Sequence, residues 1–347
     1  MTIISVLTFI LTSSEPIGTS VMPLLRIGQG ARAAGLGEAY AALAGDAYAL
    51  FWNPAGLGQV QDYHIVFSHH QWFSRTSDEL INAVLPAHRK GIGISLLYSA
   101  ESGIEHWNEQ NLLVDTFRTW SAVLSAGYGA ELFPGYSLGI GFKGFSQNLR
   151  TTWGYGASTD IGILSCPATK LKFGLVGRNI GKAWYGDLAD LPTEAVLGFA
   201  WCDRRLVTTL DLVYPLDNKL NLRAGFEFLP APMLAVRMGY RTGPSDISSL
   251  GWIAGFTGGV GITLGNLGVD YAITPYGRLG TVHRLTLRTT VPKQGKGAVR
   301  IRTLDASTMQ PLRADVTLSG IVNLSSPVER TGEILITKLR PGQLIIR

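Results

Sequence analysis

Between residue 62 and about residue 291, apolar side chains recur at every second position in a series of short segments. In residues 219–228, for example, the apolar side chains share one face of an extended chain, and polar residues and glycine take the other. The segments 136–142, 234–240 and 267–273 follow the same pattern. A period of two predicts β-strands with one apolar and one polar face.

The direction of the apolar face follows from what the two faces carry. The polar face bears many glycines and isolated charges, and the apolar face bears aromatic residues near strand ends, such as Tyr136, Trp153 and Tyr240. Aromatic residues at strand ends are typical of the interfacial girdles of a membrane-spanning barrel. The chain is 46% hydrophobic and 16% charged, yet it has no apolar run of about 18 residues that would predict a helical span. These features favour a transmembrane barrel over the alternative, a soluble all-β protein.

The sequence contains about fourteen such segments, a number within the usual range for outer-membrane barrels. The connections alternate in length: those near 87–90 and 132–135 are short, and those near 70–78 and 100–118 are long. In outer-membrane barrels the short turns face the periplasm. Because an even strand number returns the chain to its starting side, both the N-terminal segment and the C-terminal tail are predicted at the periplasmic rim. The predicted fold is an all-β, antiparallel transmembrane β-barrel.

Residues 1–20 have the pattern of a secretory signal peptide, with an apolar run from Ile3 to Leu11 followed by small residues. No Lys or Arg precedes the apolar run, which departs from the usual pattern, and a buried N-terminal strand is the alternative interpretation. The two cysteines, Cys166 and Cys202, are too few for a disulfide framework. We expect an exported protein of the bacterial outer membrane.

Two segments outside residues 62–291 differ from the strands. Residues 21–61 are rich in glycine and alanine and contain the turn signal Asn53–Gly56, which predicts a compact segment without strands. Residues 296–347 alternate again and predict a small, sandwich-like β module on the periplasmic side. The tail from residue 292 has nine basic and four acidic residues, which accounts for the whole net charge of +5. Because this basicity lies outside the barrel, we predict no nucleic-acid partner.

One part of the chain resembles a known family. The segment Leu25–Tyr40, followed by Ala44–Ala47 and Phe51–Leu57, resembles the signature of the PorV/PorQ family, which belongs to the FadL-like group of outer-membrane barrels. Residues 270–285 resemble that family's closing strands, so the resemblance covers roughly residues 22 to 291. It implies a fourteen-stranded barrel in which the N-terminal segment folds into the lumen as a hatch. The tail resembles carboxypeptidase-regulatory-like or PEGA-type modules.

The resemblance implies two different functions. PorV relatives are partners of the type IX secretion machinery, so the first interpretation is an outer-membrane barrel that binds secretion proteins or cargo at the cell envelope. FadL relatives pass hydrophobic molecules, so the alternative is a channel for hydrophobic small molecules such as long-chain fatty acids. A channel requires a pocket beside the hatch and a gap in the wall. A partner-binding barrel requires a plugged lumen and outer loops that carry the contact surface.

The candidate site residues fall into two groups, and neither includes a catalytic set. The hatch and lumen residues are predicted to be structural: Arg26, Gly28, Gly30, Arg32, Gly35, Gly37, Asn53, Pro54 and Gly56. Glycine allows close packing against the wall, and the two arginines need lumenal carboxylates, for which the candidates are Asp160, Asp211, Glu227 and Asp270. The candidate loop contacts are Trp72, Phe73 and Trp107, which either form an apolar mouth or fold over the pore.

Other chemistry is not predicted. His69 and His70 are adjacent, but no third ligand lies nearby in the sequence, so we predict no metal site. The absence of a catalytic motif predicts that the chain is not an enzyme and binds no cofactor. The expected partners are outer-membrane lipid and lipopolysaccharide, together with either secretion proteins and cargo or a hydrophobic ligand.

Overall fold

The computed structural model describes residues 18–242, 251–293, 297–302, 310, 315–320, 324–327, 333–339 and 344–346. The chain divides into two compact units, Met1–Val291 and Pro292–Arg347. Of the predicted signal peptide, residues 1–20, only the last three are among the described residues. Each unit is described by itself below.

The first unit is a closed antiparallel β-barrel of fourteen strands, with one short additional strand. The strands are β1 Tyr63–Gln71, β2 Thr76–Ala87, β3 Lys90–Trp107, β4 Leu113–Phe133, β5 Tyr136–Leu149, β6 Thr152–Ala168, β7 Leu171–Trp184, β8 Leu188–Asp190, β9 Glu194–Cys202, β10 Leu206–Pro215, β11 Asn221–Ala231, β12 Leu234–Arg241, β13 Phe256–Leu264, β14 Leu267–Pro275 and β15 Thr281–Val291. Strand β1 pairs with β15 and closes the barrel, and β8 is the additional strand, paired with β7. The predicted fold class and strand number are confirmed.

The alternation in sequence sets which way each side chain points. Apolar side chains such as Leu124 and Leu197 face outward and are more than half exposed, at 61% and 55%. Inward-facing Asp211, Asp270 and Arg284 are 0% exposed. An apolar exterior around a charged interior is stable when the surrounding solvent is hydrocarbon. Near one rim, Trp120 packs against Tyr98 and Trp153, as aromatic residues do at a lipid–water boundary.

The two rims differ in the length of their connections as predicted, although β1 to β4 are longer than the sequence indicated. One rim, here the short-turn rim, has connections of two or three residues, at 88–89, 134–135, 169–170, 203–205, 232–233 and 265–266. The opposite rim is here called the long-loop rim. The prediction of a long loop at 100–118 is wrong, because β3 continues to Trp107 and β4 begins at Leu113. The predicted loop at 70–78 likewise shortens to residues 72–75. The extensions of β3 and β4 mix polar and apolar side chains, so the apolar alternation does not reveal them.

The hatch is a chain of short helices and turns: the 3₁₀ helices Pro23–Arg26 and Pro54–Gln59, α1 Ala31–Gly35 and α2 Ala49–Trp52. It crosses the lumen from rim to rim. The backbone N–H of Gly18 donates to the carbonyl of Asp217 at the long-loop rim, and Gly58 packs on Ala130 towards the short-turn rim. Only the last part of the segment therefore lies at the short-turn rim, where the whole segment was expected. No helix in the described ranges is long and apolar enough to cross a membrane.

The described residues of the second unit form five short strands in two sheets. They are β16 Gly297–Arg302, β17 Asp315–Gly320, β18 Leu324–Pro327, β19 Glu333–Leu339 and β20 Leu344–Ile346. Strand β16 pairs with β19, and β17 pairs with both β18 and β20. The described part of residues 296–347, where a β module was predicted, thus consists largely of strands.

Candidate functional site

The hatch backbone lies directly on the inner wall of the barrel, and glycines in the wall make this contact. A Cβ atom at Gly129 would lie 2.5 Å from Pro54 O, and one at Gly225 would lie 2.5 Å from Leu36 O. Both distances are too short for real atoms, so any larger residue would displace the hatch. The same contact with hatch atoms occurs at Gly91, Gly139, Gly162, Gly174 and Gly239. The glycines on the polar face of the strands therefore shape the wall around the hatch.

The contacts of the hatch extend around the whole circumference. Backbone N–H groups of the hatch donate hydrogen bonds to Thr286 of β15 and to Asp211 of β10. Asn82 of β2 donates to the Ala47 carbonyl, and Val66 of β1 packs in the same apolar cluster as Tyr48. Together with the wall glycines, and with Ala272 and Thr257, these contacts reach all fourteen strands of the barrel.

The glycines predicted for the hatch occupy crowded or left-handed positions. Gly30 and Gly37 have φ of 89° and 65°, a region that favours glycine. A Cβ at Gly28 would lie 2.7 Å from the Trp52 ring, and one at Gly56 would overlap the Ala44 carbonyl. Gly35 packs on Gly259 of β13, where a Cβ would lie at 3.2 Å.

Asn53 and Pro54 connect the hatch to the wall at β6. The Asn53 side chain is fully buried and donates to the carbonyls of Ala41 and Ile163, at 3.1 and 3.0 Å. Its carbonyl oxygen accepts from the Ala55 N–H, which begins the 3₁₀ helix with Pro54 at its first position.

The two predicted arginines are paired at opposite rims. Arg32 binds Glu227 through two hydrogen bonds, at 2.7 and 2.9 Å, and also reaches Asp46. Arg26 binds Asp217, at 2.5 Å, which was not among the expected partners. Asp217 lies in the loop after β10, and the inward alternation of strand residues gives no hint of it. The other expected acids have different partners: Asp160 pairs with Lys143, Asp270 with Arg237 and Arg288, and Asp211 accepts from hatch amides.

A cluster around Glu38, here called the Glu38 cluster, joins the hatch to three strands. Arg241, Arg284 and Arg223 approach this one carboxylate at 3.1, 3.5 and 3.7 Å. Burial raises the pKa of Glu38, but the arginines, Arg241 first, lower it more, so the pKa is about 2. The sequence analysis missed Glu38. The inward position of three arginines on β11, β12 and β15 was the available signal, because buried cations need a carboxylate.

The predicted aromatic contacts do not form one group. Trp72 and Phe73 pack together and on Tyr276, with ring centroids 5.3 Å apart for Trp72 and Tyr276. Trp107 is 52% exposed and its indole N–H donates to Glu105. It makes no ring contact with Trp72 or Phe73 within the described part of the chain. The extended β3–β4 hairpin carries it beyond the rim, so a single aromatic mouth is wrong.

The neighbouring histidines also separate. His69 faces outward and lies 2.6 Å from Glu79, whereas His70 faces the lumen and is fully buried. Within the described ranges there is no group of three or more side chains that would hold a metal ion.

The barrel wall has a break in its hydrogen-bond ladder between β7 and β9, here called the wall break. Pairing runs from Leu171↔Trp201 to Arg178↔Glu194 and resumes with β8 at Lys182↔Asp190 in the same register. Residues 179–181 and 191–193 have no ladder pairing with each other. Pro192 lies in the middle of the break and has no N–H to donate.

Asn179 and the N-terminal strap, defined as residues 18–27, close the wall break from the inside. The Asn179 amide donates to Pro192 O across the break and to Leu25 O of the strap, both at 3.2 Å. Its carbonyl oxygen accepts from Lys143 at 2.7 Å. The strap is attached a second time where the Val21 N–H donates to Asp190 O.

A small pocket with a mainly apolar lining, here called the apolar pocket, lies between the strap and the wall beside this break. Its free volume is about 30 Å³, which is roughly that of two or three water-sized spheres. Its apolar lining residues are Leu24, Leu25, Ile27, Phe51, Trp52, Leu97 and Val123. Arg26, Gln29 and Ser125 also line it, and Lys143 and Arg178 lie at the side nearest β7. A second pocket, of about 210 Å³, lies among Arg32, Glu227, Arg237 and Arg288 and is lined largely by charged groups.

Fold and site together define a class: a closed β-barrel with an apolar exterior, filled by an N-terminal hatch. The sequence profile of a family described as "Uncharacterised protein family (UPF0164)" matches residues 15–163, which include the hatch and most of the first six strands. A comparison with curated protein sequences finds no match.

The barrel is similar in fold to solved outer-membrane channels. The CymD monoaromatic hydrocarbon channel is 11% identical, with a TM-score of 0.55 over 77% of this chain and 98% of that one. A Pseudomonas aeruginosa FadL homologue is 11% identical, with a TM-score of 0.51 over 76% and 98%. The Pseudomonas putida toluene transporter TodX is 12% identical, with a TM-score of 0.50 over 76% and 96%. This similarity shows the fold, which is that of outer-membrane β-barrels.

Proposed function

We propose that this protein is an outer-membrane channel that passes small hydrophobic molecules through the side of its wall. The observation that carries the proposal is the wall break beside the apolar pocket. These are the two features that the sequence analysis required of a channel, and they lie next to each other. The structurally similar proteins that act on hydrocarbons, CymD and TodX, support the same choice.

The geometry of the wall break suits exit into lipid. Ile180 faces outward, is half exposed and pairs with Thr159 of β6. Along β7 it lies four residues before Trp184, which pairs with Tyr155. Four residues of strand correspond to about 13 Å, so the break lies within the apolar belt and below the aromatic boundary. A hydrophobic molecule that leaves through it enters the membrane without crossing water.

The described state is closed. The pocket holds about 30 Å³, whereas a ligand of useful size needs several hundred. The strap fills the remaining space, because Met22 and Leu24 pack in one cluster with Leu97 and Leu191. Transport therefore requires the strap to withdraw from the pocket and from Asn179. The straight route through the lumen is filled by the hatch.

A crosslink across the wall break tests the proposal. Cysteines at Asn179 and Thr193, which lie opposite each other in the break because the Thr193 hydroxyl donates to the Asn179 carbonyl at 2.8 Å, are joined with a short, reducible thiol crosslinker in a barrel whose two native cysteines are serine. Bacteria that express this barrel are given radiolabelled toluene or oleate. Uptake is expected to fall to the level of cells with an empty vector, and to return when the crosslink is reduced.

The matched control places the same crosslink between Leu175 and Leu197, which face outward where β7 and β9 are fully paired. This variant is expected to keep its uptake. The proposal fails if the uncrosslinked barrel takes up neither compound above background, or if crosslinking at the wall break leaves uptake unchanged.

The first interpretation of the sequence, a barrel that binds secretion proteins or cargo, receives no support from the solved structures that are similar. For the membrane orientation, we propose that the short-turn rim faces the periplasm, as short turns do in outer-membrane barrels. Protease added to intact cells would then cleave the exposed β3–β4 hairpin near Trp107 and spare the turn at residues 232–233.

A further inference from the structure

The Glu38 cluster has more hydrogen-bond donors than acceptors. Arg284 is 0% exposed and Arg241 is 7% exposed. Each directs one nitrogen, Nη1, to Glu38, while its Nε and Nη2 atoms have no hydrogen-bond partner within the described structure. A buried charged donor without an acceptor costs about 1–3 kcal/mol or more. Two arginines with four such atoms therefore form a site that favours an additional acceptor.

His70 adds to this shortage of acceptors. It pairs directly with Arg284 across β1 and β15 and is fully buried. Its Nδ1 lies 3.8 Å from Asp78 Oδ2, which is too long for a hydrogen bond. Neither ring nitrogen has a hydrogen-bond partner among the residues that the structure describes.

The two other carboxylates near this group do not pair with it. Asp78 Oδ2 accepts a 2.6 Å hydrogen bond from the Trp72 indole N–H. Asp211 Oδ2 accepts from the backbone of Tyr40 and Ala41, and its Oδ1 has no hydrogen-bond partner among the described residues. The formal charges of Arg223, Arg241 and Arg284 are balanced only when Asp78 and Asp211 are counted together with Glu38. None of these carboxylates accepts a hydrogen bond from the Nε and Nη2 atoms of Arg241 and Arg284.

Aromatic rings cover the arginines on the side of the long-loop rim. Arg241 lies over the Tyr276 ring, with Cζ 4.5 Å from its centroid, and Arg284 lies 5.7 Å from the centroid of the Trp72 ring. Such contacts stabilise a cation by about 0.5–2 kcal/mol, but they do not replace a negatively charged acceptor. Because the rings cover the arginines on this side, an acceptor that reaches them from the long-loop rim must be small.

We propose that Arg284, Arg241 and His70 form a binding site for a small monovalent anion, either a halide or a carboxylate, beneath the rings of Trp72 and Tyr276. The anion receives N–H donors from both guanidinium groups and, when His70 presents a protonated nitrogen, from the imidazole. It also lowers the repulsion among arginines that share one hatch carboxylate. This site is separate from the apolar pocket and does not depend on the proposed function.

Bromide tests the site directly, because it scatters X-rays anomalously. Crystals of the full chain soaked in sodium bromide are expected to show an anomalous peak within hydrogen-bond distance of Arg284. In Arg284→Gln, occupancy at the same bromide concentration is expected to fall about tenfold, the effect of losing one charge-assisted hydrogen bond. Arg118→Gln, which changes an exposed arginine outside the barrel lumen, is the control and keeps the peak.

Addition of sodium acetate distinguishes the two sources of the anion. Loss of the bromide peak identifies a carboxylate site, and a peak that survives excess acetate identifies a halide site. The proposal is overturned if no peak appears near Arg284, or if the peak is as strong in Arg284→Gln as in the unchanged protein.

A measurement on the unchanged protein covers the case in which Arg284→Gln does not fold. The melting temperature is measured against bromide concentration at constant ionic strength, with a large, weakly binding anion as the replacement. A rise that saturates supports binding at a specific site. A melting temperature that does not respond, or changes without saturation, contradicts the proposal.

Discussion

Replacing Glu38 by glutamine removes the one negative charge on which Arg241, Arg284 and Arg223 converge. Glu38 is 4% exposed and the three arginines are at most 8% exposed, so water does not compensate for the loss. Removal of one partner of a buried ion pair costs about 3–5 kcal/mol. We therefore expect Glu38→Gln to lower the free energy of unfolding by an amount in that range.

The assay is urea-induced unfolding of the purified barrel in detergent micelles, followed by the fluorescence of tryptophan. Trp52 belongs to the hatch and is 1% exposed, so its emission changes when the hatch is released. A Trp52→Phe barrel measured in parallel separates this signal from that of the other seven tryptophans. The matched control is Glu105→Gln, an exposed residue of the β3–β4 hairpin that binds the Trp107 indole. This control is expected to change the free energy of unfolding by less than about 0.5 kcal/mol.

The result that would refute this reasoning is a Glu38→Gln barrel within about 1 kcal/mol of the unchanged protein, which is less than any broken buried ion pair should cost. Such a result would mean that the arginines find other acceptors once Glu38 is neutral. The Glu38 cluster would then not be what holds the middle of the hatch to β11, β12 and β15.

Three further predictions concern the same contacts. Gly239→Val is expected to displace the hatch and expose Arg32 to trypsin, since a side chain there overlaps Gly37, whereas Gly144→Val has free space and should keep the hatch protected. The pKa of Glu38 is lowered from 4.5 to about 2, so its contribution to stability is fully present above pH 4.5 and is lost progressively as the pH falls to 2. The urea concentration that releases the hatch, followed by Trp52 fluorescence, should therefore fall over this pH range. Trp107→Ala is expected to leave the urea midpoint unchanged because the ring is exposed, and a large shift would show that the ring contributes to folding.

The barrel could be predicted from the sequence because each strand carries its own information. Alternation along residues 219–228 decides which side chains face lipid, and the wrong register would place Arg223 and Glu227 in hydrocarbon. Turn residues then mark the short-turn rim. The β3–β4 hairpin was underestimated because an alternating strand outside the membrane no longer needs apolar residues on its outer face.

The contacts of the site were less predictable because they join distant parts of the chain. Glu38 meets Arg284 across 246 positions, and Asn179 meets Leu25 across 154. Spacing along the sequence says nothing about such pairs. Glu227, one of the four acids suggested for the two arginines, does bind Arg32, because a buried cation needs a carboxylate on the inward face. None of the four binds Arg26, whose partner Asp217 belongs to a loop without alternation.

The contact of the hatch with all fourteen strands has a consequence for the cell. A cylinder of this circumference would by itself be wide enough to let ions and nutrients leak across the envelope. Since the wall is packed directly on the segment it encloses, we expect the closed barrel to pass neither ions nor hydrophilic antibiotics. The permeability barrier is preserved by backbone packed on backbone, at positions where a single methyl group would force the two apart.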